Sequence, residues 1–392
     1  MTIDAQPARA GVGHDELVRR AQALAPGIRA RSAETEAGRR VPQASIDEIV
    51  GAGLIRTLTP ARYGGDELWF DAWFDVTVEI GKACASTAWC ASLLTHINHL
   101  LALFPQEAQE AVWADGPDVC LVHAIPPIAK VEKVDGGYRL TGEHPFASGI
   151  DHAQWAIVGG LIHDGDSHDF SQFLISPGDF EIRDTWFAAG MRGTGSKTAV
   201  IDGAFVPEAH RVSMHAVIDG HTPGGRLHPG KLYQLPFVMF GGPTFLAPML
   251  GAGRGLYDLF VTEMRDRRDR MVQVADRWSV QETVSRAAVD LDLAELLIRR
   301  VMAVARDTEP GPIERAQTLR DYTRASELIR DAVDRLVRHT GTRAFFDSNP
   351  AQKTWRDVNV IASHVAFNPE YNLSYFGRLE LGLERDPTMA LF

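Results

Sequence analysis

Two segments of the chain carry side chains whose types and spacing could form a reaction site. His364 lies in Trp355–Asn368, WRDVNVIASHVAFN, and Ser148 lies in His144–Trp155, HPFASGIDHAQW. Histidine has a reference pKa near 6.5 and can exchange protons near neutral pH. A serine hydroxyl can both donate and accept a hydrogen bond. General acid–base chemistry, or recognition of a polar ligand, is one interpretation of these two segments.

The residue types alone leave a structural interpretation of both side chains open. On helical spacing, His364 shares one face with Val360, Ile361 and Asn368, which permits core packing as readily as catalysis. Ser148 stands where a predicted strand ends in a turn, and serine is common in turns because its hydroxyl bonds nearby backbone groups. His364 and Ser148 are therefore candidates with a packing or turn-forming alternative.

Histidine and cysteine spacing does not indicate a metal centre. His96 and His99 could bind a metal from one helix face, but no acidic or third histidine partner stands at useful spacing. The three cysteines form no CxxC pair, so neither a disulfide framework nor a thiolate metal site is indicated. We predict a packed histidine pair and no bound metal.

Two glycine-rich stretches do not meet nucleotide-binding motifs. Gly251–Gly255 (GAGRG) lacks the GxGxxG spacing and follows no predicted strand, which favours close helix packing at small residues. Gly193–Thr198 (GTGSKT) departs from the GxxxxGK[ST] pattern. The neighbourhood of Ser148 and His152 lacks GxSxG. A dinucleotide-binding fold, a nucleoside triphosphatase and a serine hydrolase are not indicated.

Composition and net charge exclude further classes of protein. With 45% hydrophobic and 23% charged residues among 392, the chain is an ordinary globular protein with material for a large core. A formal net charge of −11 argues against nucleic acid as the main partner, because binding its phosphates needs a positive surface. We recognise no secretion signal and no apolar stretch long enough for a bilayer. We predict a soluble cytoplasmic protein without a membrane or nucleic-acid partner.

The hydrophobic periodicity changes twice along the chain. From Asp15 to about Trp113, apolar residues recur at helical steps. From about Val119 to Val212, short alternating segments with turns such as Asp135–Gly137 predict an antiparallel barrel or sandwich. Long helical segments with short connections then predict a bundle. Its helices are expected at Pro243–Val272, Ser279–Asp307, Pro312–Thr340 and Ala351–Phe367.

The order of these zones predicts an α+β fold that is mostly α. We expect an N-terminal helical domain over residues 1–118 and a middle β domain over residues 119–212. A linker loop and a helical bundle would occupy residues 213–392. Periodicity by itself does not identify which known fold this is.

Several segments together resemble the acyl-CoA dehydrogenase fold, in its flavin-dependent monooxygenase branch. The resemblance rests on His144–Trp155, Thr185–Val212, the HTPGG at His221–Gly225 and the C-terminal WRDVNVIASH, and it covers nearly the whole chain. More narrowly, the segments resemble the oxygenase components of two-component hydroxylases for p-hydroxyphenylacetate and secosteroid phenols. The resemblance implies an N-terminal helical domain, a middle antiparallel β-barrel and a C-terminal four-helix bundle, assembled as a homotetramer.

Two departures from the dehydrogenase pattern favour the monooxygenase branch. Many acyl-CoA dehydrogenases carry a catalytic glutamate nine residues after an Arg-Asp pair. Counting from Arg356-Asp357, that position is Val365, with His364 just before it. Their Gln-x-x-Gly-Gly-x-Gly segment, which holds the FAD adenine, is replaced by Arg338–Ala344 (RHTGTRA). The resemblance therefore implies transient uptake of reduced flavin, FMNH2 or FADH2, from a separate NAD(P)H:flavin reductase.

The same resemblance implies a reaction and two catalytic residues. Reduced flavin would react with O2 to give a C4a-hydroperoxide, whose distal oxygen passes to an electron-rich aromatic carbon. The branch has a histidine at the position of His364, which would accept or share a phenol proton and hydrogen-bond the peroxide. Ser148 matches the serine of a [Phe/Trp]-x-Ser-Gly motif beside the flavin ring and the substrate hydroxyl.

Further cofactor contacts are implied position by position. Arg192, Thr194 and Ser196 lie in a glycine-rich loop whose hydroxyls and backbone N–H groups could bind flavin phosphate or ring oxygens. A plain hairpin loop is the alternative. Arg267 matches an arginine that often contacts the flavin phosphate from the bundle, although it stands in a charge run of the kind that usually faces solvent.

The substrate pocket is expected to receive four side chains: Trp89, Ser92, His96 and His123. The first three lie in the N-terminal helices, where core packing is the alternative. His123 matches a substrate-binding histidine of the p-hydroxyphenylacetate hydroxylases that the secosteroid hydroxylases do not share.

The sequence thus predicts the oxygenase component of a two-component flavin-dependent monooxygenase that hydroxylates an aromatic, phenolic substrate. The alternatives are N- or S-oxygenation on the same scaffold, an acyl-CoA dehydrogenase, and a flavin-free binding or scaffolding protein. The substrate, and the choice between FMN and FAD, stay open.

Overall fold

Six α-helices precede the sheet in the computed structural model, which describes residues 12–164, 167–384 and 386. The fifth, α5, is buried on every side, and of its 17 residues only Leu93 lies outside the buried set. A helix without a polar face belongs inside a protein. The six are α1 (His14–Ala30), α2 (Ser32–Gly38), α3 (Gln43–Gly51), α4 (Phe70–Gly81), α5 (Ala85–Leu101) and α6 (Gln106–Trp113).

Seven strands of the described chain form one sheet in the order β5-β6-β2-β1-β3-β4-β7. All neighbours pair antiparallel except β1 and β3, which run parallel. The predicted hairpin joins β1 to β2 with Val134 opposite Gly137, and Gly136 between them has φ +77°. The strands are β1 (Leu121–Val134), β2 (Gly137–Ala147), β3 (Trp155–Asp164), β4 (Ser167–Ile175), β5 (Glu181–Arg183), β6 (Lys197–Pro207) and β7 (Arg211–Ser213).

The sheet is not closed into a barrel, so this part of the predicted fold is wrong. Its two edges are β5 and β7, each three residues long. Closure requires the two edge strands to pair with each other, and among the described residues no pairing joins β5 to β7. The turn expected around residues 164–169 falls partly on residues 165 and 166, which lie outside the described residues.

Seven α-helices follow the sheet in the described chain, and α11 contacts five of them: α8, α9, α10, α12 and α13. The predicted α+β, mostly helical class is confirmed, whereas the division into three domains stays a prediction. The helices are α7 (Met214–Asp219), α8 (Val238–Gly241), α9 (Pro243–Asp266), α10 (Trp278–Asp307), α11 (Pro312–Thr340), α12 (Pro350–Ala362) and α13 (Pro369–Glu380).

The helix predicted to run to Val272 ends at Asp266. A two-stranded hairpin follows, with β8 at Arg268–Asp269 and β9 at Val272–Gln273. Between these strands Arg270 and Met271 have φ of +48° and +79°. Positive φ cannot continue a right-handed helix, so a turn replaces the expected last helical turn.

The glycine-rich stretch Gly251–Gly255 serves helix packing, as predicted. A Cβ on Gly251 would lie 2.4 Å from the carbonyl oxygen of Val78, and one on Gly255 would lie 2.4 Å from that of Lys82. Only glycine permits this approach of α9 to α4 and the segment after it. Within residues 12–164, 167–384 and 386, no helix combines the length and apolar character needed to span a bilayer.

Candidate active site

Ser148 belongs to a chain of hydrogen bonds that begins at an indole and ends at a backbone carbonyl. Trp89 Nε1 donates to Ser148 Oγ over 3.1 Å. Ser148 Oγ lies 2.7 Å from Ser196 Oγ, which lies 2.6 Å from Thr194 Oγ1. Thr194 Oγ1 donates to the carbonyl oxygen of Met191 over 2.8 Å. Four of the predicted site residues therefore form one connected hydroxyl chain.

The end of β2 positions Ser148. After the strand ends at Ala147, the Ser148 N–H donates to the carbonyl of Phe146, and Gly149 at φ +79° donates to that of Thr194 over 2.8 Å. The glycine permits the turn that brings the two loops together. Phe146 has φ +63° and is 67% exposed. Sequence analysis missed Phe146 as a site residue, although the motif around Ser148 contains an aromatic residue at its position.

The glycine-rich loop is held by α12. Met191 adopts φ +52°, and its N–H donates to Asp357 Oδ1 over 2.5 Å. Its carbonyl also accepts from Trp186 Nε1 over 2.9 Å. A Cβ on Gly190 would lie 2.4 Å from the carbonyl oxygen of Arg356. The backbone of the loop is therefore pressed against α12, and Asp357, Trp186 and Thr194 hold the peptide groups of Met191.

His364 does not lie on a helix, which corrects the predicted helix Ala351–Phe367. α12 ends at Ala362, and His364 is extended at φ −66° and ψ 141° before a short 3₁₀ turn. The Ala366 N–H donates to His364 Nδ1 over 3.2 Å. This side-chain acceptor competes with the helical bond and ends the helical path. The proposed common face of His364 with Val360 and Ile361 is therefore wrong.

Aromatic rings surround the imidazole of His364. The ring centroid of Phe245 lies 4.2 Å away, that of Trp89 5.9 Å and that of Phe367 6.3 Å. Burial lowers the pKa of His364 to about 4. The ring is therefore neutral near pH 7, and its proton lies on Nε2 because Nδ1 accepts from Ala366. In this arrangement Nε2 can donate a hydrogen bond, whereas accepting a proton there would require the other tautomer.

Trp89 joins the two candidate catalytic residues. Its indole N–H bonds Ser148, its ring packs edge-on against His364, and it stacks on Phe245 with centroids 4.9 Å apart. Trp89 lies on α5, Phe245 near the start of α9 and His364 after α12. Sequence analysis missed Phe245, since an apolar residue at a helix start gives no signal of its own.

The structure gives Ser92 Oγ and His96 Nδ1 hydrogen-bond partners on Thr244. Ser92 Oγ donates to the carbonyl of Thr244 over 2.8 Å, and His96 Nδ1 lies 3.1 Å from Thr244 Oγ1. His96 stacks on Trp73, and burial lowers its pKa well below the ordinary value. His99 is also buried, beside His96. Among the described residues, no three potential metal ligands come together.

His123 and the two arginines take separate positions. His123 Nε2 lies 3.0 Å from Gln172 Oε1, and burial lowers the pKa of His123 to about 4. The Nε atom of Arg192 is buried and has no hydrogen-bond partner among the described residues. Arg267 caps the C-terminal end of α9, whereas Phe245 lies near its start. At 1.5 Å per residue these ends are roughly 33 Å apart, so one chain does not bring Arg267 to the site.

Residues 14–116 match the family described as acyl-CoA dehydrogenase, N-terminal domain, and residues 244–369 match its C-terminal domain. The chain is 33% identical over 384 residues to the flavin-dependent monooxygenase oxygenase subunit HsaA of Rhodococcus jostii, covering 95% of this chain and 100% of that one. It is 34% identical to the oxygenase component of the FADH2-dependent resorcinol hydroxylase of Rhizobium, covering 95% of each. The chain belongs to this family of flavin-dependent monooxygenase oxygenases.

A solved structure of a family member carries the reduced cofactor. XiaF from Streptomyces in complex with FADH2 and glycerol superposes with a TM-score of 0.87 at 28% identity, covering 95% of this chain and 96% of that one. The predicted family and its acyl-CoA dehydrogenase-like fold are thus confirmed, whereas the closed barrel is wrong and the three-domain layout stays a prediction. The homologues are oxygenase components of two-component systems that hydroxylate aromatic compounds, and reduced flavin is their cofactor.

The described residues of this family member fit a reduced flavin. An orphaned arginine nitrogen at Arg192, a half-buried hydroxyl at Ser148 and the exposed ring of Phe146 all lie around the junction of β2 and the glycine-rich loop. An anionic phosphate or a ring oxygen would satisfy the arginine, and an aromatic side chain suits a flat heterocycle.

Proposed function

We propose that this chain is the oxygenase component of a two-component monooxygenase that uses reduced flavin and O2 to hydroxylate an aromatic substrate, a phenol in particular. One observation carries the proposal: Ser148 and His364 both contact the Trp89 indole, with a histidine and a valine where a dehydrogenase would need its glutamate. The site can hold and donate protons, yet neither His364 nor Val365 supplies a carboxylate to take a proton from an acyl-CoA.

The glycine-rich loop and the end of β2 are the proposed flavin contacts. Ser148 and Ser196 would meet the ring, Thr194 would support them, and the free nitrogen of Arg192 would meet a phosphate or ring oxygen. When bound, reduced flavin supplies the electrons that activate O2 for transfer of one oxygen atom. A separate reductase delivers it as FMNH2 or FADH2, as in the two-component relatives.

His364 is proposed to act first as a hydrogen-bond donor. Its Nδ1 accepts the Ala366 N–H, so Nε2–H is left to meet a ligand, on a ring whose lowered pKa keeps it neutral near pH 7. Phe245, Phe367 and Trp89 cover part of the half-buried ring, and a hydrogen bond is stronger in such a low-dielectric environment. Sharing the proton of a phenol is the second role, available when ligand binding changes the tautomer.

A second copy of the chain is proposed to cover α10, as one of the contacts of a homotetramer. Val289, Leu293 and Leu296 follow helical spacing on one face and are 54%, 45% and 63% exposed. Contiguous exposed apolar side chains of this kind mark protein contacts. Since Arg267 lies at the far end of α9, it could reach a flavin phosphate only in a neighbouring subunit.

Anaerobic loading with reduced FMN or FAD, followed by oxygen and a panel of phenols, tests the function. We expect a hydroxylated product by mass spectrometry, no turnover with NAD(P)H alone, and restored turnover when a flavin reductase is added. A matched assay with acyl-CoA substrates and an electron acceptor should be negative. Acyl-CoA oxidation without phenol hydroxylation would overturn the proposal.

A further inference from the structure

The hydrogen-bond chain at Ser148 has a fixed direction. Trp89 Nε1 can only donate, and the Met191 carbonyl oxygen can only accept. Three hydroxyls lie between these ends, and each has one proton. The Thr194 proton goes to Met191, the Ser196 proton to Thr194 and the Ser148 proton to Ser196. Ser148 Oγ therefore has a free lone pair but no proton for a ligand.

Burial and backbone contacts keep this direction. Thr194 is 2% exposed and Ser196 5% exposed, so water has little access to either hydroxyl. The accepting carbonyl of Met191 belongs to a residue whose N–H is held by Asp357 and whose φ of +52° is fixed by its neighbours. A second donor, Trp186 Nε1, also points at this carbonyl. The Met191 carbonyl, the acceptor end of the hydroxyl chain, is therefore held in its orientation.

We propose that this directed hydroxyl chain makes the site selective for reduced over oxidised flavin, with Thr194 and Ser196 as positioning residues. The inference rests on the proposed function, in which Ser148 meets the flavin ring. Reduced flavin carries a hydrogen on N5 and can donate it to Ser148, whereas oxidised flavin presents a lone pair at N5. Two facing lone pairs repel, so the oxidised form loses a contact that the reduced form gains.

The direction of the hydrogen bonds between these hydroxyls, rather than the presence of the hydroxyls, distinguishes reduced from oxidised flavin. In a Thr194→Val variant the methyl group replaces the hydroxyl at nearly the same volume, and the Ser196 proton loses its acceptor. Ser196 can then donate back to Ser148, which frees the Ser148 proton to meet oxidised N5. One hydrogen bond of about 0.5–1.5 kcal/mol corresponds to roughly a twofold to tenfold change in affinity. Thr194→Ser keeps the hydroxyl and should keep the selectivity.

Dissociation constants for oxidised and for dithionite-reduced FMN and FAD, measured by anaerobic fluorescence titration, test this inference without any turnover. We expect wild type and Thr194→Ser to bind the reduced form more tightly. Thr194→Val should bind oxidised flavin roughly twofold to tenfold better relative to reduced flavin. Ser196→Ala provides a second route to the same loss, because it also leaves the Ser148 proton without an acceptor.

The possible outcomes distinguish a failure of the proposed function from a failure of this inference alone. If wild type binds neither redox form, the proposed function is overturned and the inference with it. If wild type prefers reduced flavin and the ratio is unchanged in both Thr194→Val and Ser196→Ala, the directed chain is not the cause and this inference alone is overturned. Circular dichroism of each variant establishes that the fold is retained.

Discussion

At the scale of single residues, the tautomer of His364 decides what the site can do. The backbone N–H of Ala366 occupies Nδ1, and the surrounding aromatic rings lower the pKa of His364 to about 4. A ring held in this way is a weak base and a well-oriented donor. The role predicted from the sequence, proton acceptance from a phenol, therefore has to compete with a hydrogen-bonding role that the ring fulfils without rearrangement.

We predict that His364→Ala folds and binds reduced flavin but hydroxylates roughly 10²–10⁴-fold more slowly, the usual size of an acid–base contribution. More oxygen should be lost as hydrogen peroxide. His364→Gln keeps an N–H donor and should retain more product per oxygen consumed than the alanine variant. Coupled oxygen-electrode and product assays measure both. A wild-type rate and coupling in His364→Ala would return His364 to core packing.

Ser148→Ala removes the half-buried hydroxyl of the hydrogen-bond chain from Trp89 to Met191, the hydroxyl proposed to meet a ligand. We expect substrate or flavin affinity to weaken by about 0.5–1.5 kcal/mol, the net value of one hydrogen bond. The fold should be unchanged, since Ser148 is only half-buried. Equilibrium titration measures the change, with Ser171→Ala as a buried serine control in β4. Unaltered affinity and coupling would make Ser148 a turn residue.

At the scale of elements, a buried ion pair within α12 supports Asp357, whose other carboxylate oxygen accepts the Met191 N–H of the glycine-rich loop. Lys353 Nζ lies 2.6 Å from Asp357 Oδ2, and their side chains are 12% and 2% exposed. We predict that Asp357→Ala destabilises the protein by about 3–5 kcal/mol, because it leaves the buried Lys353 ammonium without its carboxylate partner. Adding Lys353→Met should recover part of this loss. Urea unfolding compares the variants, and equal losses in the single and double variants would contradict the explanation.

Sequence signals predicted some helix ends accurately and others poorly. α11 was predicted from Pro312 to Thr340 and is observed there, since proline occupies its first turn, Glu314 bonds the Gly311 N–H and Gly341 follows its end. α12 was predicted five residues too long. Apolar spacing continues past Ala362, and periodicity does not report that the His364 and Asn368 side chains cap new turns.

The candidate site was predicted residue by residue but not as a network. Ser148 is 59 positions from Trp89, and Met191 is 166 positions from Asp357. Contacts over such separations leave no periodic trace, so the direction of the hydroxyl chain could not be read from residue types. The open sheet was missed for a related reason, since strand patterns do not tell whether two edge strands meet.

At the scale of the whole molecule, buried histidines make stability depend on pH. Burial lowers the pKa of His99, His123, His144, His228 and His364 to about 4, whereas histidine in an unfolded chain titrates near 6.5. Between these values the unfolded state binds more protons than the native state. The free energy of unfolding should therefore fall as pH drops from about 6.5 to 4.

Urea unfolding at several pH values measures this slope. His144 is the sharpest test, since both of its ring nitrogens are buried without a hydrogen-bond partner among the described residues. His144→Leu should make the slope shallower, and the same change at the exposed His215 serves as control. A midpoint that stays constant between pH 6.5 and 4 in the wild type would contradict the prediction.

The apolar face of α10 leads to a prediction about assembly. Leu296→Glu should convert the proposed tetramer into smaller species, because it places a charge among side chains that a second copy would cover. Ile182→Glu, on the edge strand β5 and similarly exposed at 45%, should leave the assembly intact. Light scattering after size-exclusion chromatography gives the masses. A wild-type monomer at micromolar concentration would disprove the proposal.

The central helix α5 also bears on how the protein is made. It is buried on nearly every side and contacts α4, β1, α9 and α12, the last of which ends at Ala362. During synthesis at about 5–20 residues per second, α5 leaves the ribosome tens of seconds before its last neighbours exist. For that time the side chains of α5 that later pack against α9 and α12 stay uncovered, although α4 is already present. We expect a high demand for chaperones during translation, and higher soluble yields where translation is slowed by low temperature.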